Sequence, residues 1–87
     1  MARVWIPSLL RELTNGQETI EVPGRTVRQL IEELERRFPG IKARLCTDDS
    51  LRAGIAAVVD SQVAQMGLMQ TVGQESEVHF LPALGGG

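Results

Sequence analysis

Thr26-Val27-Arg28-Gln29-Leu30-Ile31-Glu32-Glu33-Leu34-Glu35-Arg36-Arg37-Phe38 is the segment on which the architecture turns. Val27, Leu30, Ile31, Leu34 and Phe38 recur at the i, i+3, i+4 spacing that stacks side chains on one buried face of a helix. Glu32, Glu33, Glu35, Arg36 and Arg37 occupy the rest of its surface and read as a solvated face. Thr26 with Gln29 three residues later reads as a capping box, Thr26 serving as N-cap and Gln29 reaching back to it. Pro39-Gly40 then stops the helix. A lone helix with one apolar stripe needs an apolar layer to cover, and the segments on either side supply it.

Before the helix, Ala2-Arg3-Val4-Trp5-Ile6 alternates in the strand period, with Val4 and Ile6 on one face and Arg3 and Trp5 on the other. Pro7 ends the run, because proline has no N–H for a ladder. Ser8 to Leu13 is open to two readings, a loop or one short helical turn. Asn15-Gly16 marks a turn, and Glu18-Thr19-Ile20-Glu21-Val22 alternates again, with Ile20 and Val22 inward and Pro23-Gly24 closing it. After the helix, Ile41 to Leu51 contains a short turn or helix. Ile55-Ala56-Ala57-Val58-Val59 is a continuous apolar run suited to a central strand, bounded by Asp60-Ser61. Val63 to Thr71 reads as a turn with a short strand, and Gly73-Gln74-Glu75-Ser76 as a turn. Glu77-Val78-His79-Phe80-Leu81 is the last strand, with Val78 and Phe80 inside.

The order strand, strand, helix, strand, short strand, strand predicts a two-layer α+β domain with one main helix on a mixed sheet. A ubiquitin-like β-grasp, in which the last strand is central, fits this order; other small α+β folds share it. At 87 residues the chain makes one domain, expected over 1–84, with 85–87 a flexible glycine tail. A net charge of −2, with Arg interleaved among Glu, argues against nucleic acid as a partner. The single cysteine, Cys46, permits neither an internal disulfide nor a Cys-based metal site, and a reducing cytoplasm is the expected location. Met1 to Ile6 is too short for a signal peptide, and no run approaches the roughly 20 apolar residues of a membrane helix.

The chemistry is expected at the end of the chain, Leu81-Pro82-Ala83-Leu84-Gly85-Gly86-Gly87. Lacking a Cβ, glycine lets a backbone lie in a slot too narrow for side chains. Three glycines reach about 10 Å when extended, enough to place Gly87 inside another protein's active site, with Gly85 and Gly86 as the threading segment. Pro82 stiffens the exit, because its φ is restricted. A terminal carboxylate, ionised above a pKa of about 3.5, is a poor electrophile. To take up sulfur or form an amide it must first be activated, most simply as an acyl-adenylate formed at the expense of ATP. The chain has no phosphate-binding loop, no Cys–His pair and no clustered carboxylates with metal-ligand spacing, so it is expected to be a substrate of partner enzymes and not itself an enzyme. Leu81, Pro82, Ala83 and Leu84 are the expected docking surface. Trp5 points away from the core, either as part of an ordinary half-exposed face or as a partner anchor. Cys46 reads as a bystander thiol and His79 as a solvated strand residue, since neither has a visible catalytic partner.

The whole length resembles the β-grasp sulfur-carrier family of MoaD/ThiS type. Members carry a Pro followed by three small or aliphatic residues before a terminal Gly-Gly. Pro82-Ala83-Leu84-Gly85 before Gly86-Gly87 matches, with Gly85 where Ala or Ser is usual. Ile6-Pro7-Ser8, Leu10-Arg11, Asn15-Gly16-Gln17, Gly40-Ile41 and Arg44-Leu45 are most similar to the cysteine-synthesis branch. Asp60-Ser61 departs from the Asn-containing turn frequent in the wider family, and Gln74 from the Asp that often follows the turn glycine. The resemblance implies that an E1-like adenylyltransferase adenylates Gly87, which becomes a thiocarboxylate and donates its sulfur. The chain itself would bind no cofactor; ATP would be consumed by the activating partner. In the cysteine branch the acceptor would be a serine derivative held by a pyridoxal-phosphate (PLP)-dependent cysteine synthase, with a metalloprotease releasing the product. Two further readings of the tail are the small subunit of molybdopterin synthase, inserted into a large subunit, and a protein modifier joined to lysines. A plain interaction module, its tail without chemistry, is a third.

Overall fold

The hairpin at the start of the chain forms because alternation leaves one apolar edge on each of two short runs. In the computed structural model, which describes residues 1–82, β1 (Ala2–Trp5) pairs antiparallel with β2 (Thr19–Val22), Val4 opposite Ile20 and Trp5 opposite Thr19. Ala2, Val4, Ile6, Ile20 and Val22 are buried as the alternation predicts. Ser8–Thr14, ambiguous in sequence, is a 3₁₀ helix. Asn15, at φ 58°, ends it in the left-handed region, and its N–H bonds the Arg11 carbonyl. Thr14 is fully buried, its hydroxyl 2.8 Å from the Gln17 carbonyl that accepts its proton.

Helix α1 (Val27–Arg37) buries Val27, Leu30, Ile31 and Leu34 against one face of the sheet. Phe38, at its C-cap, is only half-buried and packs at the margin of the core. The N-cap is partly as expected. Thr26 Oγ1 accepts the Gln29 N–H at 3.2 Å, but the Gln29 side chain accepts from the Arg25 N–H at 2.7 Å, one residue before the cap. Thr26 is drawn instead into an isolated bridge with Thr71, and the Val27 N–H donates to the Gln70 carbonyl. The reciprocal half of the capping box is thus made one residue early, at Arg25.

Five residues of helix, α2 (Ile41–Leu45), follow at once. Their start is held by Glu35, whose carboxylate accepts the Gly40 and Lys42 N–H groups. A small hairpin of β3 (Cys46–Thr47) and β4 (Ser50–Leu51) comes next, an element the sequence pattern does not announce. β5 (Ile55–Val59) turns through Asp60-Ser61, both at positive φ, into β6 (Gln62–Val63). The short strand therefore lies at the very start of the stretch expected to hold it, and Gly67–Met69 beyond it is a 3₁₀ turn. β7 (Glu77–Pro82) ends the described chain.

The sheet order is β2-β1-β7-β5-β6. β7 is central, parallel to β1 and antiparallel to β5, as a β-grasp requires. β5 is an inner strand, but the centre belongs to β7. Register partners share a face, so Thr19, Trp5, His79, Val58 and Val63 form one row across the face opposite α1. Glu21, Arg3 and Glu77 form a polar row below it, and Leu81 with Ala56 a shorter apolar pair above it. Among the described residues no helix is long and apolar enough to cross a membrane, and no group of three or more His, Cys, Asp or Glu converges on a metal position.

Candidate functional site

The end of the sheet from which the tail departs is set by β7. Its last pair is Pro82 with Ile55, one step beyond Leu81 with Ala56. Ala83, Leu84, Gly85, Gly86 and Gly87, where threading, docking and chemistry are expected, lie outside the described residues, as does the boundary between domain and tail. The site is therefore the surface around the root of the tail, and the question is what that surface presents.

It presents apolar groups. Leu81 is 46% exposed, an unusual position for a leucine on the central strand of a sheet. Beside it Leu9 is 81% exposed on the first turn of the 3₁₀ helix. Leu9 was missed in the sequence because Leu9-Leu10 reads as undivided apolar material. In a tight helical turn only one of two neighbours faces the core, and Leu10 takes that place. Between Leu9 and the ends of β5 and β7 lies a groove of about 230 Å³ floored by Leu10, Leu45 and Phe80, with Pro7, Ile55 and Leu81 as walls. A second groove of about 340 Å³ runs on the other flank of β7, between Leu9, Arg11, Trp5 and His79.

Trp5 is half-buried, and its ring stacks on His79 at 5.1 Å with 9° between the planes. Its indole N–H donates to Glu77 Oε1 at 3.0 Å. The parallel β1–β7 register makes this possible, since Trp5 lies opposite His79 with Glu77 two residues earlier on the same face. His79 is thus covered by a ring on one side, less solvated than its alternation alone implies. No nucleophilic side chain is hydrogen-bonded to it among the described residues. Cys46 is buried, and burial pushes its thiol up from its ordinary value, the reverse of what a reactive thiolate needs.

The far end of β7 is anchored. Asp60 accepts from the Glu77 N–H at 2.9 Å and from the Ser76 hydroxyl at 2.7 Å, and these two bonds hold its carboxyl below the usual value. One end of the central strand is tied down, while Leu81 near the other stands between two grooves.

A domain of this topology, with its last strand central and an apolar rim at that strand's end, is of the ubiquitin-like β-grasp class. Residues 4–87 match the ThiS family, and the chain belongs to that family. It is 32% identical over 89 residues to the sulfur carrier protein CysO of Mycobacterium tuberculosis, covering 97% of this chain and 96% of that protein. It superposes on a chain of the Amycolatopsis orientalis BexX/CysO complex with a TM-score of 0.91 and 35% identity over 100% of both chains. The crystal structure of Mycobacterium tuberculosis CysO gives a TM-score of 0.88 and 29% identity, covering 97% of this chain and 100% of that one. The protein is a sulfur carrier, and its work is done with partner enzymes.

Proposed function

We propose that Gly87 is the sulfur-bearing residue and that its thiocarboxylate supplies the sulfur of cysteine. The family match running through residue 87 is the observation that supports this reading, since the matched span includes the glycines. An E1-like adenylyltransferase joins the Gly87 carboxylate to the α-phosphate of ATP, expelling pyrophosphate. A sulfide donor then displaces AMP and leaves a thiocarboxylate. Its sulfur attacks the β-carbon of a serine derivative activated by a PLP-dependent synthase. The leaving group departs, the acyl group moves from sulfur to the amino nitrogen, and a metalloprotease hydrolyses the resulting amide to free cysteine. ATP is consumed by the activating partner and no cofactor stays on the carrier.

The branch assignment rests on the 32% identity to the sulfur carrier protein CysO and the 35% identity to a chain of the BexX/CysO complex, each over nearly the whole chain. Gly85 and Gly86 thread the partner's slot, while Leu81, Pro82, Ala83, Leu84 and Trp5 meet its mouth. The test is the intact mass of the protein recovered from its own cells with labile sulfur preserved. The expected result is a species in which one oxygen at Gly87 is replaced by sulfur and which yields a Gly87–cysteine adduct with the synthase and its serine substrate. A Gly87 that stays unmodified when an E1-like enzyme, ATP and sulfide are all supplied would overturn it.

A further inference from the structure

The cations of this chain are distributed in a way that composition does not reveal. Of nine Lys and Arg residues, Arg3, Arg28, Arg36, Arg37 and Lys42 pair with carboxylates. Arg11, Arg44 and Arg52 pair with no carboxylate among the described residues, although the protein is net acidic. Arg44 lines the groove beside the end of β7. Arg52, two residues before Gly54 of the same lining, has its Nε held by the Ala43 carbonyl at 2.9 Å. Arg11 lines the adjoining groove, with its Nε held by the Ile6 carbonyl at 3.0 Å. Those two backbone bonds orient the guanidinium groups before any partner arrives. The other unpaired cation, Arg25, follows β2 at the opposite end of the sheet.

A groove floored by core leucines and phenylalanine, with unpaired Arg44 in its lining and two backbone-oriented arginines nearby, is complementary to an apolar side chain set beside carboxylates. We propose that this groove, with Leu9 as its lip, Arg44 at its edge and Arg11 in the adjoining groove, docks an apolar, acid-flanked projection of the adenylating enzyme. Pro82, the last described residue of β7, stands opposite Ile55 of the groove wall, so an enzyme that holds Gly87 in its active site must cover this end of the domain. Docking here registers the body of the carrier while the tail is threaded, and the attraction of opposite charges speeds the encounter. The inference rests on the sulfur-carrier reading, because it requires an enzyme that accepts the tail.

The experiment is carrier-dependent ATP–pyrophosphate exchange by the E1-like adenylyltransferase of the same cells, with the full chain as substrate. Arg44 and Leu9 are exposed and make no internal bond that folding needs. Arg44→Glu and Leu9→Asp are each expected to raise KM about tenfold, as loss of one buried contact or charge pair does, with kcat unchanged. The rise in KM with added salt seen for the wild-type chain should flatten in Arg44→Glu. Arg25→Glu, an equal change of net charge at the far end, should leave KM as it was. A wild-type KM for both Arg44→Glu and Leu9→Asp, or equal losses in Arg44→Glu and Arg25→Glu, overturns the docking site. A lowered KM in Leu9→Asp assigns the groove to the chain's own Leu84 and overturns it as well. Absence of exchange with the wild-type chain would remove the carrier reading and this inference together, whereas wild-type exchange lost on deletion of Gly86 and Gly87 isolates the docking question.

Discussion

Two residues show how single positions constrain this molecule. Gly24 closes β2 ahead of the helix, and a Cβ there would lie 2.9 Å from Leu30 Cδ2 and 3.2 Å from the Leu30 backbone nitrogen. Leu30 is fully buried and cannot swing away. Gly24→Ala is therefore expected to cost about 1–3 kcal/mol, the range for overpacking a filled site, read as a lower urea midpoint at unchanged m-value. Asp60 acts through its charge. The Glu77 N–H and the Ser76 hydroxyl favour its ionised form and lower its folded pKa below the ordinary 3.8. Its contribution is thus complete above the unfolded pKa and is lost as pH falls through the folded one. The stability difference between wild type and Asp60→Asn should be constant from neutral pH down to about 4 and shrink below it, followed by urea midpoints across that range. Convergence that began near neutrality would refute the assignment. Asn tolerates the positive φ of 50° at this turn, so the comparison isolates charge from backbone strain.

At the scale of elements, the helix and the strands of the hairpin were legible and the short pieces were not. The apolar spacing of α1 marks its buried residues, since eleven residues give the 3.6 period three turns to declare itself. The two-residue strands β3 and β4 show no period, and the pairing of Cys46 with Leu51 that defines them is visible only once the chain has turned at Asp48. The cap of α1 shows the same limit. Thr26 was readable as N-cap, whereas neither the Arg25 N–H as partner of Gln29 nor the Thr26–Thr71 bridge, a contact across more than half the chain, was. Thr26→Ala is expected to lower stability by about 1 kcal/mol, the usual value of a side-chain cap, with Thr26→Ser restoring most of it. Thermal or urea denaturation of both variants checks this.

For the molecule as a whole, the proposed function separates the length of chain that would carry the chemistry from the length that holds the fold. The buried core runs from Ala2 to Phe80, and every described ladder pair lies at or before Pro82. Removal of Gly86 and Gly87 should therefore change the unfolding free energy by less than about 0.5 kcal/mol while abolishing sulfur loading. Differential denaturation and intact mass measured on the same sample separate the two effects. A large loss of stability would mean that the glycines are part of the fold. The Asp60 anchor lies at one end of β7 and the apolar rim at the other.

Residue pattern alone was enough for the two-layer class and for the inward faces of β1, β2, α1 and β7. Those are local matters, since periodicity records which side of an element is buried. Packing was needed to set Trp5 on His79, to line Val58 and Val63 up with them, and to gather Leu9, Ile55 and Leu81 with Arg11 and Arg44 in the two grooves at the end of β7. Strand order and register join residues more than seventy positions apart, and no periodicity within a strand encodes which partner it will pair with.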